Sequence, residues 1–187
     1  MLTAARCAAM QGRAYSLRND AGGAARSRLL AEQLLDRSST DNEPSWIQFF
    51  TPTQLAVESQ YIAADLGQHE EVKRLAPLVT PVNPPRADGM QRRRVLSTAV
   101  LASAYLPLGG DSTNPDRHSG VDVDYACRLL TEVLPALPSL TSTRAQTRVD
   151  QVRRSLAPYR SRASVVQLEE LHYDLSTVSA PTVSDDQ

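Results

Sequence analysis

The chain has 187 residues, and its 20 basic residues are nearly balanced by 21 acidic ones, giving a formal net charge of -1 at pH 7. This length fits one ordinary domain or two small ones, and the near-neutral total argues against a surface devoted as a whole to nucleic acid or membrane. Apolar residues make up 41% of the chain and aromatic residues only 5%. Such a composition favours packed helices over a sheet, so we predict an all-α fold.

The apolar spacing predicts helical hairpins in chain order. A helical pattern over 2–17 breaks at 19–23, and a second run follows over 24–35. Thr51 and Pro52 form an N-cap followed by proline at the first helical position, so a helix is expected from there to Gly67. Its partner is expected over 70–78, before a proline-rich stretch.

The second half of the sequence continues the same pattern. A helix is expected over 88–106 and its partner over 121–137, with an exposed polar loop at 111–120 between them. Two further helices are predicted at 142–156 and 164–175. The resulting organisation is one domain over 1–175, with hairpins at about 2–37, 46–80 and 88–138, capping helices within 142–175, and a disordered tail at 176–187.

A degenerate tetratricopeptide pattern repeats along these hairpins. The pattern places small residues where two helices touch, a glycine at the turn and a proline at the close, since each hairpin must bury its apolar face on a neighbour. Gly12 is predicted to face Ala24, and Ala102 to face Ala126, which lets the helices approach closely. The matching positions are Gly12, Tyr15, Ala24 and Ala31 in the first hairpin, Gly67 and Pro84 in the second, and Leu101, Ala102, Tyr105, Gly109, Ala126, Val133 and Pro138 in the third.

Two segments carry a more particular resemblance. They read W-I-Q-F-F-T-P-T-Q-L-A-V-E-S-Q-Y-I-A-A-D-L-G at 46–67 and S-T-R-A-Q-T-R-V-D-Q-V-R-R-S-L-A-P-Y-R at 142–160. The chain resembles the tetratricopeptide-like C-terminal region of actinobacterial (XRE-type) helix-turn-helix transcriptional regulators. The resemblance implies an α-α superhelix that senses, binds or oligomerises. No segment matches the DNA-binding half of that family, so direct DNA binding is not expected. Because the first residues already have a mid-helix pattern and no cap, the chain is expected to be a fragment of a longer parent or to begin at a mis-assigned start.

Enzymatic chemistry finds no support in the sequence. His69, His118 and His172 are scattered, without metal-ligand spacing, and the aspartate-rich region at 111–124 lacks the glycine and the oxygen ligands of a calcium loop. Phosphate-binding, dinucleotide-binding and nucleophile-elbow motifs are missing from the sequence. We expect no catalytic residue, no metal and no cofactor.

The preferred prediction is a non-enzymatic interaction or ligand-sensing module that binds a peptide, a protein segment or a second copy of itself. In tetratricopeptide arrays the first helices of the hairpins line the concave face. The resemblance therefore implies Arg13, Gln54, Tyr61 and Ser103 as candidate binding residues. We expect the aromatic cluster of Trp46, Phe49 and Phe50 to fill the gap between hairpins rather than to form a ligand pocket.

The alternative prediction is a nucleic-acid-binding protein that uses the basic helix 144–162. Its candidate basic face consists of Arg144, Arg148, Arg153 and Arg154, and only Asp150 opposes them. A solvated helix face is the simpler interpretation, since no aromatic residue for base stacking is interleaved among these four arginines. Cys7 and Cys127 show no disulfide or metal spacing, and no signal peptide or membrane span is apparent, so a cytoplasmic location is expected.

Overall fold

The computed structural model describes residues 1–39, 43–79, 88–106 and 120–178. The fold is all-α, as the composition predicts, and no strand occurs in these ranges. The helices are α1 (Leu2–Leu17), α2 (Ala21–Asp36), α3 (Pro52–Asp65), α4 (His69–Val79), α5 (Asp88–Ser103), α6 (Gly120–Val133), α7 (Thr143–Ser155) and α8 (Ala163–Val178), with short 3-10 helices at Leu134–Ser139 and Ala157–Tyr159.

Backbone contacts divide the chain into two compact units, Met1–Pro84 and Pro85–Gln187. In the first unit α1 packs on α2, α3 packs on α4, and α3 also contacts both α1 and α2. In the second unit α5 packs on α6 and α7, and α6 packs on α8. The single domain over 1–175 stays a prediction.

One cluster of buried apolar residues in the first unit joins three helices and the segment before α3. It is built from Leu2, Ala5, Ala8 and Ala9 of α1, Ala31 of α2, Ile47, Phe50 and Leu55. Phe50 thus lies in the gap where we expect the aromatic cluster, but Trp46 and Phe49 are exposed. The cluster divides because Ile47, rather than its aromatic neighbours, points into the core with Phe50.

Helix α1 approaches its neighbours closely at Gly12. A Cβ atom there would lie 2.9 Å from Ile62 Cδ1 of α3 and 3.5 Å from the carbonyl oxygen of Ala24 in α2. The approach to the Ala24 carbonyl confirms that Gly12 faces Ala24. A side chain larger than hydrogen at position 12 would also press against Ile62 of α3.

The ends of α3 follow the signals in the sequence. Thr51 accepts a hydrogen bond from the backbone N–H of Gln54 at 3.3 Å, and Pro52 is the first helical residue. Gly67 has a φ of +67°, and the N–H of Gln68 reaches the carbonyl of Ala63 at 2.8 Å. This is the Schellman ending that glycine permits, and the predicted stop at Gly67 is confirmed.

Four other helix ends differ from prediction by more than one residue. Helix α5 ends at Ser103 rather than 106. Helix α2 begins at Ala21 rather than 24, because Asp20 caps it through the N–H of Gly23 at 2.7 Å. Helix α6 ends at Val133 rather than 137, since Pro135 and Pro138 lack the N–H groups that an α-helix needs. Helix α8 continues to Val178, into the segment predicted as tail. Pro84, Gly109, positions 111–119 of the predicted loop and positions 179–187 of the predicted tail lie outside the described residues.

Candidate binding sites

Two of the candidate residues meet where α1 crosses α3. The guanidinium of Arg13 lies over the ring of Tyr61, 4.9 Å from its centroid, and Arg13 Nε is 3.1 Å from Asp65 Oδ2. The hydroxyl of Ser16 lies 3.2 Å from the same carboxylate oxygen. Asp65 was not among the predicted residues, although its position four residues after Tyr61 places both on one face of α3. The result is an ion pair that is largely shielded from solvent and supported by an aromatic ring.

The other two candidate residues lie apart from this pair. Gln54 is half-buried near the start of α3, where its amide nitrogen lies 3.2 Å from Glu58 Oε1 one turn later. Ser103 belongs to α5 in the second unit, and its hydroxyl donates to the carbonyl of Val100 at 2.7 Å. Gln54 therefore extends the face that carries Tyr61, whereas Ser103 is occupied within its own helix.

A stripe on α1 connects the Arg13 site with a second stacked arginine. Positions 6, 10, 13 and 17 fall on one helical face, and we call Arg6, Met10, Arg13 and Leu17 the α1 stripe. Arg6 lies 5.0 Å from the centroid of the Phe49 ring. Met10 is 50% exposed and Leu17 is 70% exposed. The stripe thus alternates arginines on aromatic rings with exposed apolar side chains.

The first unit also holds a cavity of about 450 Å³ between α2 and the α3–α4 hairpin. Its floor consists of small or apolar side chains, among them Ala24, Ser59 and Ala63. Arg28 of α2 and Glu71 of α4 border it and pair at 2.9 Å. Hydrogen bonds from Arg74 and Arg28 lower the pKa of Glu71 from 4.5 to about 2, against the opposing effect of burial.

The basic helix is less available as a surface than its sequence suggests. Arg153 points toward α8, where its Nε lies 3.0 Å from Glu169 Oε1 and its Nη2 pairs with the second carboxylate oxygen. Its Nη1 also lies 3.3 Å from Asp150 Oδ1. Only 19% of the Arg153 side chain is exposed. Among the other predicted arginines, Arg144 and Arg154 are exposed and Arg148 is half-buried.

His172 completes the surroundings of Arg153. Its Nε2 is 2.9 Å from Arg153 Nη1. A guanidinium can only donate, so Nε2 accepts and the neutral ring carries its proton on Nδ1. Desolvation by burial, followed by the positive charge of Arg153, lowers the pKa of His172 below its usual 6.5. Sequence reasoning missed Glu169 and His172 because they lie 16 and 19 positions from Arg153, beyond any local spacing rule.

Two cavities flank this group of four residues, which we call the Arg153 cluster: Asp150, Arg153, Glu169 and His172. One measures about 300 Å³ and is lined by Leu134, Leu137, Pro138, Gln146, Asp150, His172, Leu175 and Ser176. The other measures about 460 Å³ and lies on the side of Arg154, Arg160 and Val165. Asp150 borders both cavities.

In the part of the chain that the structure describes, no three His, Cys, Asp or Glu side chains lie close enough together to hold a metal ion. His69 lies at the start of α4, and His118 is outside the described residues.

Cys7 is exposed and Cys127 buried, and both are free thiols. No helix within the described ranges combines the length and apolarity required to cross a bilayer.

Comparison with known proteins identifies no family: no family model, no curated protein and no solved structure matches the chain.

Proposed function

We propose that the chain is a non-enzymatic helical-repeat interaction module, a tetratricopeptide-like superhelix akin to the C-terminal region of actinobacterial helix-turn-helix transcriptional regulators. Support for the repeat comes from the helix contacts within each unit: α1 packs on α3 in the first, and α5 packs on α7 in the second, as the first helices of neighbouring hairpins do in such arrays. The close approach at Gly12 fits the same arrangement. Two free cysteines fit a cytoplasmic setting.

The α1 stripe is the proposed docking surface, and it is the observation that carries the proposal. Arginine and aromatic side chains dominate the binding energy of protein interfaces, and here they stand beside exposed Met10 and Leu17. Arg6 has no ion-pair partner among the described residues, so its charge is available to a carboxylate. The partner is therefore a peptide or protein segment that presents apolar side chains next to an acidic one. The experiment described next distinguishes such a peptide partner from a second copy of the chain.

Selection of displayed random short peptides on the full chain tests the proposal. Enriched peptides are expected to combine acidic and apolar residues, and their affinity should fall about tenfold or more in Arg6→Ala and in Met10→Asp. Arg37→Ala, an exposed arginine at the end of α2, is the matched control and should leave the affinity unchanged. Peptides that bind equally to all variants would exclude the α1 stripe. Sedimentation of the chain alone distinguishes self-association from peptide binding.

The nucleic-acid alternative, which uses the basic helix 144–162, stays a prediction. Its support is weaker because Arg153 is paired with Glu169 and Asp150 and so contributes little positive potential to a phosphate backbone.

A further inference from the structure

We propose that the cavity of about 300 Å³ beside the Arg153 cluster binds a small molecule that joins an apolar body to an ammonium group. This site lies in the second unit and is distinct from the α1 stripe of the proposed function. The inference depends on the shape of the cavity, on the charge at its rim and on the direction of the hydrogen bonds around it.

The cavity has an apolar side and a polar side. Leu134, Leu137, Pro138 and Leu175 form the apolar side, whereas Gln146, Asp150, His172 and Ser176 form the polar one. Small-molecule sites in proteins are concave and mostly apolar, with a few polar groups that orient the ligand, and their volumes begin at about 300 Å³. The cavity therefore suits a compact ligand with one polar end.

The charge at the rim is negative. Glu169 holds the Nε and Nη2 groups of Arg153 in a two-point pair, which balances the single positive charge of the cluster. His172 is neutral because its Nε2 accepts from Arg153. Asp150 thus supplies an excess negative charge, and its side chain is 42% exposed where it borders the cavity. No other charged residue lines this cavity among the described residues.

The neighbouring polar groups of the cavity also favour a ligand that donates hydrogen bonds. Gln146 donates one amide N–H to the carbonyl of Leu140 at 3.3 Å and keeps Oε1 as an acceptor for a ligand. The hydroxyl of Ser176 donates to the carbonyl of His172 at 2.7 Å, so its oxygen acts as an acceptor. Together with the Asp150 carboxylate they provide three acceptors, which match the three N–H donors of a primary ammonium.

Three probes that share a phenyl ring and differ in the polar end test the proposal: 2-phenylethylamine, 2-phenylethanol and 3-phenylpropanoate. Titration calorimetry on the full chain should give the amine an affinity about tenfold above that of the alcohol, because a charge-assisted hydrogen bond replaces a neutral one. The carboxylate should bind most weakly. Asp150→Asn should reduce the amine to the affinity of the alcohol, while Glu170→Gln, an exposed acid of α8 outside the cavity, should change nothing.

A second variant keeps the proposal falsifiable if Asp150→Asn loses helical circular dichroism. Ser176→Phe places a ring in the cavity mouth and should abolish binding of both the amine and the alcohol. Equal affinities for amine and alcohol, an unchanged amine preference in folded Asp150→Asn, undiminished binding to Ser176→Phe, or no binding of any probe would each overturn the proposal. Arg6→Ala should leave these affinities unchanged, so failure here and failure at the α1 stripe are distinguishable.

Discussion

Glu71 accepts hydrogen bonds from the side chains of two arginines. Arg74 donates to its two oxygens at 2.6 and 2.7 Å, and Arg28 of α2 donates at 2.9 Å. A carboxylate that accepts from two guanidinium groups is strongly stabilised in its charged form, which explains the pKa of about 2. The consequence is an electrostatic link between α2 and α4. Glu70, the preceding residue, makes no such link because it is exposed and pairs with Lys73 of its own helix.

Replacement of Glu71 should therefore lower stability. We expect Glu71→Gln to reduce the free energy of unfolding by about 1 to 2 kcal/mol, a value discounted for partial exposure of the pair. Glu70→Gln is the matched control and should have little effect. Urea denaturation at pH 7 measures both.

The same link has a defined pH dependence. The pKa of Glu71 is depressed from 4.5 to about 2 in the folded chain, so the stability it contributes is present above pH 4.5 and is lost as the pH falls toward 2. The difference between wild type and Glu71→Gln should shrink across this window. A difference that stays constant from pH 7 to pH 2 would contradict the assignment.

Local spacing could predict individual residues only where the partner is also local. Tyr61 and Asp65 are one turn apart on α3, and their shared face was readable in principle. The place of Arg13 in the repeat predicted it as a binding residue. Its ion pair with Asp65 could not be predicted, because it depends on how α1 crosses α3. Arg153 was predicted as part of an exposed face for the same reason: nothing nearby in the sequence indicates that α8 covers it.

At the level of elements, the start of α2 depends on a balance between a cap and two glycines. Asp20 accepts from the N–H of Gly23 at 2.7 Å, which satisfies a donor in the first helical turn. Glycine pairs usually interrupt a helix, and the sequence predicted a later start on that ground. Capping decides the outcome because the glycines occupy only the first turn.

Adjacent alanine substitutions should have opposite effects. A Cβ atom on Gly22 would meet only Arg26 Nη1 at 3.3 Å and Asp20 Oδ1 at 3.6 Å, so Gly22→Ala should stabilise by about 0.5 kcal/mol through helix propensity. On Gly23 it would lie 2.6 Å from Asp20 Oδ2 and 2.7 Å from Tyr15 Cδ1. Gly23→Ala should therefore destabilise by about 1 to 3 kcal/mol. Thermal unfolding measures both, and stabilisation by Gly23→Ala would show that the ring and cap move aside easily.

The other helix ends illustrate which signals a sequence carries by itself. Gly67 and the pair Thr51 and Pro52 act through their own backbone chemistry, so the ends of α3 were predictable. The two prolines after Val133 also act locally: they end α6, and the chain continues as a 3-10 helix. The end of α8 carries no such signal, since Ser176 and Thr177 bond back to carbonyls of their own helix.

At the scale of the whole molecule, the fold class follows from composition, whereas the grouping of the helices depends on contacts between distant positions. The first unit gathers its core from four separate stretches of sequence, including α1, α2 and the segment before α3. Periodicity predicts that each helix buries one face, but it does not say which helices share a core. The two compact units were therefore outside the reach of the sequence pattern.

The first unit should fold alone if its core is sufficient. We expect the fragment Met1–Pro84 to give a helical circular dichroism spectrum and one cooperative thermal transition. Phe50→Ala should abolish that transition, since Phe50 is 2% exposed and its loss costs about 3 to 5 kcal/mol. Phe49→Ala is the control, because Phe49 is 47% exposed. A fragment that melts gradually would instead favour one domain over 1–175.

Arginine side chains in this protein contribute contacts with aromatic rings as well as positive charge. Only Lys73 among the 20 basic residues is a lysine, so 19 are arginines. Guanidinium groups lie within 6 Å of ring centroids at four pairs: Arg6 and Phe49, Arg13 and Tyr61, Arg128 and Tyr125, and Arg162 and Tyr159. An ammonium group carries the same charge but has no flat face to lay on a ring. Exchange of these arginines for lysine would keep the isoelectric point nearly constant while removing planar contact area from both units.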